Sequence, residues 1–132
     1  MPNNKDRQQI TRLLTIALGA ALLIWLPFED TQMVWISLFA MLISSLIAFY
    51  AASNISPEKR QRWYFYPAIG ALAGLVMTPI SLLLMAFKSG LHGHGSPEFT
   101  SGQVTAVLNS WLIWVTAGAL IGFLALIWQK VR

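Results

Sequence analysis

Apolar residues in this chain come in four long runs separated by short polar breaks. The runs cover about 10–28, 32–52, 63–87 and 107–128. Each is close to the roughly 20 residues that carry a helix across the bilayer core at about 1.5 Å per residue. Lipid offers the backbone no hydrogen-bond partner, so helix is the expected form of every run. The pattern predicts an all-α fold: a single four-span transmembrane domain built as an antiparallel up-down four-helix bundle.

The breaks carry their own signals. "PFED" leaves room only for a tight helical hairpin, which puts the first two spans side by side. In "SNISPEKRQR", Ser56 before Pro57 opens a helical turn with proline in its first position. The loop 88–106 is longer and ends in Thr100-Ser-Gly-Gln103, a capping-box pattern. Beyond it, Val104, Val107, Leu108 and Trp111 recur at helical spacing. A short interfacial helix before the last span, or an outward extension of that span, is expected there.

Composition supports lipid as the main solvent. Charged residues make up 11% of the 132 and hydrophobic ones 56%, against about a quarter charged in a soluble domain. The net charge of +4 does not point to nucleic acid. The basic residues stand in short clusters beside the apolar runs, not on an aromatic-interleaved face, so no nucleic-acid partner is expected. Lys5, Arg7 and Arg12, then Lys59, Arg60 and Arg62, then Lys130 and Arg132 belong to one side; the opposite side has only Lys88, with Glu29, Asp30 and Glu98. This bias predicts both termini in the cytoplasm and the loop outside, in a bacterial inner or thylakoid-type membrane. The first run has a basic start, but no small-residue cleavage site follows it, so it reads as a retained span. Trp25, Trp35, Phe87, Trp111 and Trp114 are expected at the outer boundary. Phe49, Tyr50, Trp63, Tyr64, Phe65, Tyr66 and Trp128 are expected at the inner one.

Within the runs no ionisable group falls near mid-depth, which argues against a pump, a proton-coupled exporter or a voltage sensor. Small residues form stripes instead. Gly70, Gly74, Thr78 and Ser81 share a face of the third run, and Gly118, Gly122 and Ala125 a face of the fourth. Ser37, Ala40, Ser44, Ala48 and Ala51 do so on the second, and Thr11, Thr15 and Gly19 on the first. Such faces let helix backbones approach closely. They either close the bundle or dock a neighbouring subunit. Thr78-Pro79 predicts a kink at Pro79, with the threonine re-satisfying the freed carbonyl. A static bend is the plain reading; a cleft for a lipid or quinone is the sharper one.

Candidate chemistry gathers in "KSGLHGHGSPEFTSGQ", which holds both histidines. His92, His94 and Glu98 are the candidate metal ligands, since imidazole with carboxylate suits a divalent transition metal. Three donors fall short of the four of a structural zinc site, and the glycines give no rigid spacing. No cofactor is therefore required, and a divalent metal is the one this loop offers. Cysteine is absent, which excludes disulfides and thiolate sites. A Ser–His–Asp arrangement is unsupported: Asp6 lies across the membrane, and Asp30 with Ser96 or Ser101 has no ordered spacing. "GLHGHG" lacks the lysine and preceding strand of a phosphate loop. No catalytic residue is assigned, and the chain leans away from being an enzyme.

The leading expectation is an accessory or assembly subunit of a larger membrane complex, with the His/Gly-rich loop as recognition surface. Its partners are the bilayer and a membrane protein or further copies of itself. The alternatives are a metal- or small-ligand-binding membrane protein acting through His92 and His94, and a passive channel or transporter component.

Overall fold

The structure, a computed structural model, describes residues 4–28, 32–60, 62–92 and 99–131. Every regular element among them is helical: α1 (Asn4–Trp25), α2 (Met33–Ser53), α3 (Pro57–Arg60), α4 (Phe65–His92), α5 (Ser101–Asn109) and α6 (Trp111–Val131). Three stretches are long and apolar enough to cross a membrane: Met33–Ser53, Phe65–Leu91 and Ser101–Val131. The apolar part of α1, Gln9–Trp25, is shorter. The expected first span reaches residue 28, but Pro27 disfavours helix at Leu26, and α1 stops at Trp25.

Local chemistry sets most of the other boundaries. At the end of α2 the Asn54 N–H donates to the Ala51 carbonyl and the Ile55 N–H to the Ala52 carbonyl. Arg60 of α3 closes the same terminus, its Nε donating to Ile55 O at 2.8 Å and its Nη2 to Ser53 O at 2.6 Å. Thr100 caps α5 with a full capping box: Gln103 N–H donates to Thr100 Oγ1, and Thr100 N–H donates to Gln103 Oε1 at 2.8 Å. Helical bonding continues across Ser110, whose N–H donates to Ala106 O while Trp114 N–H donates to Ser110 O. The interfacial helix and the last span are thus two parts of one nearly unbroken rod.

The long helix α4 is the centre of the fold, packing against α6 and against α2. Its contact with α6 is backbone on backbone. A Cβ added to Gly70 would overlap the Gly118 carbonyl, one on Gly118 would overlap the Gly70 carbonyl, one on Gly74 the Trp114 carbonyl, and one on Gly122 the Tyr66 carbonyl. Partner numbers fall along α6 as they rise along α4, so the two helices are antiparallel. The glycine stripes of the third and fourth runs therefore face each other inside the chain. Gly19 on α1 has nothing within 4 Å of such a Cβ.

The apolar cluster sits toward one end. It joins Trp25 at the close of α1, Ile36, Phe39 and Ala40 early in α2, Met77, Leu84 and Met85 in α4, then Phe99 and Val107. The polar side chains buried in these helices are mostly self-satisfied: Ser44 Oγ donates to Met41 O and Ser81 Oγ to Met77 O at 2.9 Å. Thr78 departs from the expectation. Helix α4 is continuous through Pro79, and the buried Thr78 hydroxyl has no hydrogen-bond partner, so it does not re-satisfy the carbonyl that the proline frees. Burying an unmade hydrogen bond costs free energy that an apolar isostere avoids. Thr78→Val is accordingly expected to leave stability unchanged or raise it by up to about 1 kcal/mol. Denaturation in micelles measures this, and a loss above that size would assign the hydroxyl a partner.

Candidate functional site

The candidate site lies at the loop end of the molecule, where a buried charge meets aromatic rings. It is built on the last turns of α4. The expected loop begins at residue 88, but the helix runs on through His92, and Lys88 lies inside it. At this position helical spacing carries the buried stripe of Met77, Ser81, Leu84 and Met85 one turn further, onto Lys88. The lysine is fully buried. Its ammonium donates to the Phe28 carbonyl at 2.7 Å and stands 4.0 Å from the centroid of the Trp25 ring.

Each contact has a physical reason. Phe28 lies just past the C-terminus of α1, where unpaired carbonyls and the negative end of the helix dipole favour a cation. The Trp25 face carries negative quadrupole density, and the cation–π attraction strengthens where water is excluded. Trp25 itself is pinned from behind by Phe39, with ring centroids 4.9 Å apart and planes tilted by 37°. Trp25, one of the aromatics expected toward the outer boundary, is buried against the lysine, and its indole N–H has no hydrogen-bond partner.

The candidate metal ligands fall at the edge of what can be described. His92 ends α4, but its side chain lies outside the described residues, as do His94 and Glu98. Among the described residues no three His, Cys, Asp or Glu side chains group as a metal site. What the structure does define are the two anchors of the segment between them. On one side is the Lys88–Trp25–Phe28 clamp. On the other, Phe99 is buried in the apolar cluster and is followed at once by the capping box of α5. Six residues, 93–98, separate α4 from Phe99. Of the other positions singled out from the sequence, Gly70, Gly74, Gly118 and Gly122 meet at the α4–α6 crossing, and Pro79 lies between that crossing and the clamp along α4.

No known family matches. Neither the family models nor the curated proteins nor the solved structures contain a match to the chain. Its chemistry rests on its own residues.

Sequence reasoning placed Lys88 as the one basic residue of the outer side and assigned it no role. The signal for it was present: the apolar stripe of α4, extended by one turn, passes through residue 88.

Proposed function

We propose that this chain is a small four-span membrane protein that serves as an accessory or assembly subunit of a larger membrane complex. Its His/Gly-rich loop is the recognition surface. The observation that carries this reading is the double anchoring of that loop. Both flanks of residues 93–98 are fixed, by the buried lysine clamp within α4 and by buried Phe99 with the capped α5, and loops on rigid scaffolds are where recognition concentrates. A second feature agrees with it. A third (33%) of the 18-residue apolar core of Phe65–Leu91 is buried within the molecule, but only 6% of that of Ser101–Val131, whose Leu112, Ile113, Leu120, Ile121 and Leu124 remain exposed. That face suits lipid or a neighbouring subunit, whether another protein or a second copy.

Four crossings in an antiparallel up-down bundle, with both termini cytoplasmic, fit the charge distribution. Eight basic residues stand on one side against Lys88 alone on the other. The membrane is then a bacterial inner or thylakoid-type one, and the loop faces away from the cytoplasm. The direct backbone contact between α4 and α6 favours a scaffold over a pore lined by those two helices.

Native mass analysis after extraction in a mild detergent tests this. The chain is expected to leave the membrane in a defined complex. His92→Ala combined with His94→Ala is expected to reduce partner recovery several-fold while leaving the metal content of the purified chain unchanged. A lone monomer from the wild type would overturn the proposal, and metal lost only in the double variant would move the function to ligand binding.

A further inference from the structure

The opposite, basic end of the molecule offers a second site. Four helix ends meet near it, and its cations are not equivalent. Arg60 is committed to the chain, with two of its guanidinium nitrogens closing the terminus of α2. Arg62 is not. It is exposed, its Nη1 donates to the Tyr64 hydroxyl at 2.8 Å, and its guanidinium carbon stands 6.0 Å from the centroid of the Tyr64 ring. A phenol orients a guanidinium without neutralising it. The charge and the remaining N–H donors are left facing out, in the planar fork that matches two phosphate oxygens.

The surroundings fit a phosphate carried on a lipid. Trp63, 69% exposed, stacks edge-on against Tyr64 with ring centroids 5.9 Å apart, placing an amphipathic indole beside the guanidinium. These rings lie immediately before α4, at the boundary where a membrane-crossing helix meets headgroups. Lys59 is exposed in α3. Lys130 comes to the same end of the molecule because Gln129 Nε2 donates to the Tyr66 hydroxyl at 2.6 Å and Gly122 packs on Tyr66. No ion pair among the described residues occupies Lys59, Arg62 or Lys130, and the one acidic side chain described at this end, Glu58, is exposed.

We propose that Arg62, oriented by Tyr64, next to Trp63 and Lys59 and with Lys130 at the same end of the molecule, binds the phosphate headgroup of an anionic phospholipid. Basic residues at the membrane surface attract anionic lipid in general. The proposal is narrower: one guanidinium is pre-set for a headgroup, and another of equal charge, the exposed Arg12 on α1, has no such orienting phenol.

That contrast is the test. Full-length chain in mixed micelles is offered phosphatidylglycerol or phosphatidylcholine of identical acyl chains, and retained lipid is counted by native mass spectrometry. The wild type is expected to keep phosphatidylglycerol preferentially. Arg62→Gln is expected to lower that retention about fivefold, the effect of losing roughly one surface cation–lipid contact. Arg12→Gln, with the same change of net charge, is expected to stay within about twofold of the wild type by the same scale. Arg62→Lys keeps the charge without the fork and is expected to fall between, which also guards against a folding defect in the glutamine variant. Equal retention of the two lipids by the wild type overturns the proposal, and so does an equal loss in Arg12→Gln and Arg62→Gln. Displacement of phosphatidylglycerol by millimolar inorganic phosphate would overturn it too, by making the site one for a soluble anion.

Discussion

Replacing Lys88 with alanine is expected to destabilise the protein by about 2–5 kcal/mol, the range for removing a buried long side chain together with its polar partnership. Three losses add in the same direction. A side chain with no exposed surface leaves a cavity, the Phe28 carbonyl loses its donor, and Trp25 loses the cation 4.0 Å from its ring centroid. Unfolding in micelles measures the total, and the emission that Trp25→Phe removes from the six-tryptophan spectrum reports the loss of the clamp locally. A loss below about 1 kcal/mol would mean that the ammonium is not held in the interior as described.

Lys88→Met separates packing from charge. Methionine fills nearly the same volume with an unbranched, apolar stem, and replacing a buried charge with such a group is often close to neutral when its partners tolerate it. Here one partner is a backbone carbonyl that no apolar side chain can satisfy. The methionine variant is therefore expected to recover the cavity part of the loss but not the rest, leaving about 1–2 kcal/mol. If loop recognition depends on this anchor, partner recovery will follow Lys88 variants even though the lysine does not touch the partner.

The lysine also marks where sequence patterning ran out. The crossing helices were legible because hydrocarbon imposes one requirement, length of apolar run, and α2, α4 and the α5–α6 rod meet it. The capping box at Thr100 and the proline opening α3 were legible because each is a local bond or a local dihedral. Lys88 was not, because a hydropathy run ends at the first charge while a helix does not. The polypeptide remains helical past Phe87 for as long as its buried stripe has something to meet, and here it meets Trp25. The burial of Trp25 was hidden for the matching reason: the preference of indole for headgroups is a rule about lipid and does not say that a cation of the protein covers the ring. At Thr78 the sequence offered a plausible bond to a freed carbonyl, but the side chain does not make it. Whether small-residue stripes close the chain on itself or dock another subunit was equally open, since either use needs the same residues.

The glycines at the crossing allow the second large expected effect. Gly70→Leu or Gly118→Leu is expected to abolish the packed α4–α6 pair, because the first carbon of either side chain already collides with backbone of the facing helix. A rotamer change cannot relieve that collision; the helices must separate. Alanine tests the same contact at its minimum, and each Gly→Ala at these two positions is expected to cost about 1–3 kcal/mol, the usual range for overpacking. The two residues share one contact, so once the helices have moved apart for the first methyl the second adds little. Gly70→Ala with Gly118→Ala should therefore cost clearly less than the sum of the singles. Gly19→Ala and Gly90→Ala meet nothing within 4 Å and should show no loss, or a small gain from helix propensity. Because the chain has no cysteine, spin labels can be placed on α4 and α6 alone. The interhelical distance they report should lengthen in the leucine variants. An unchanged distance, or additive alanine costs, would mean that the glycines do not meet across this crossing.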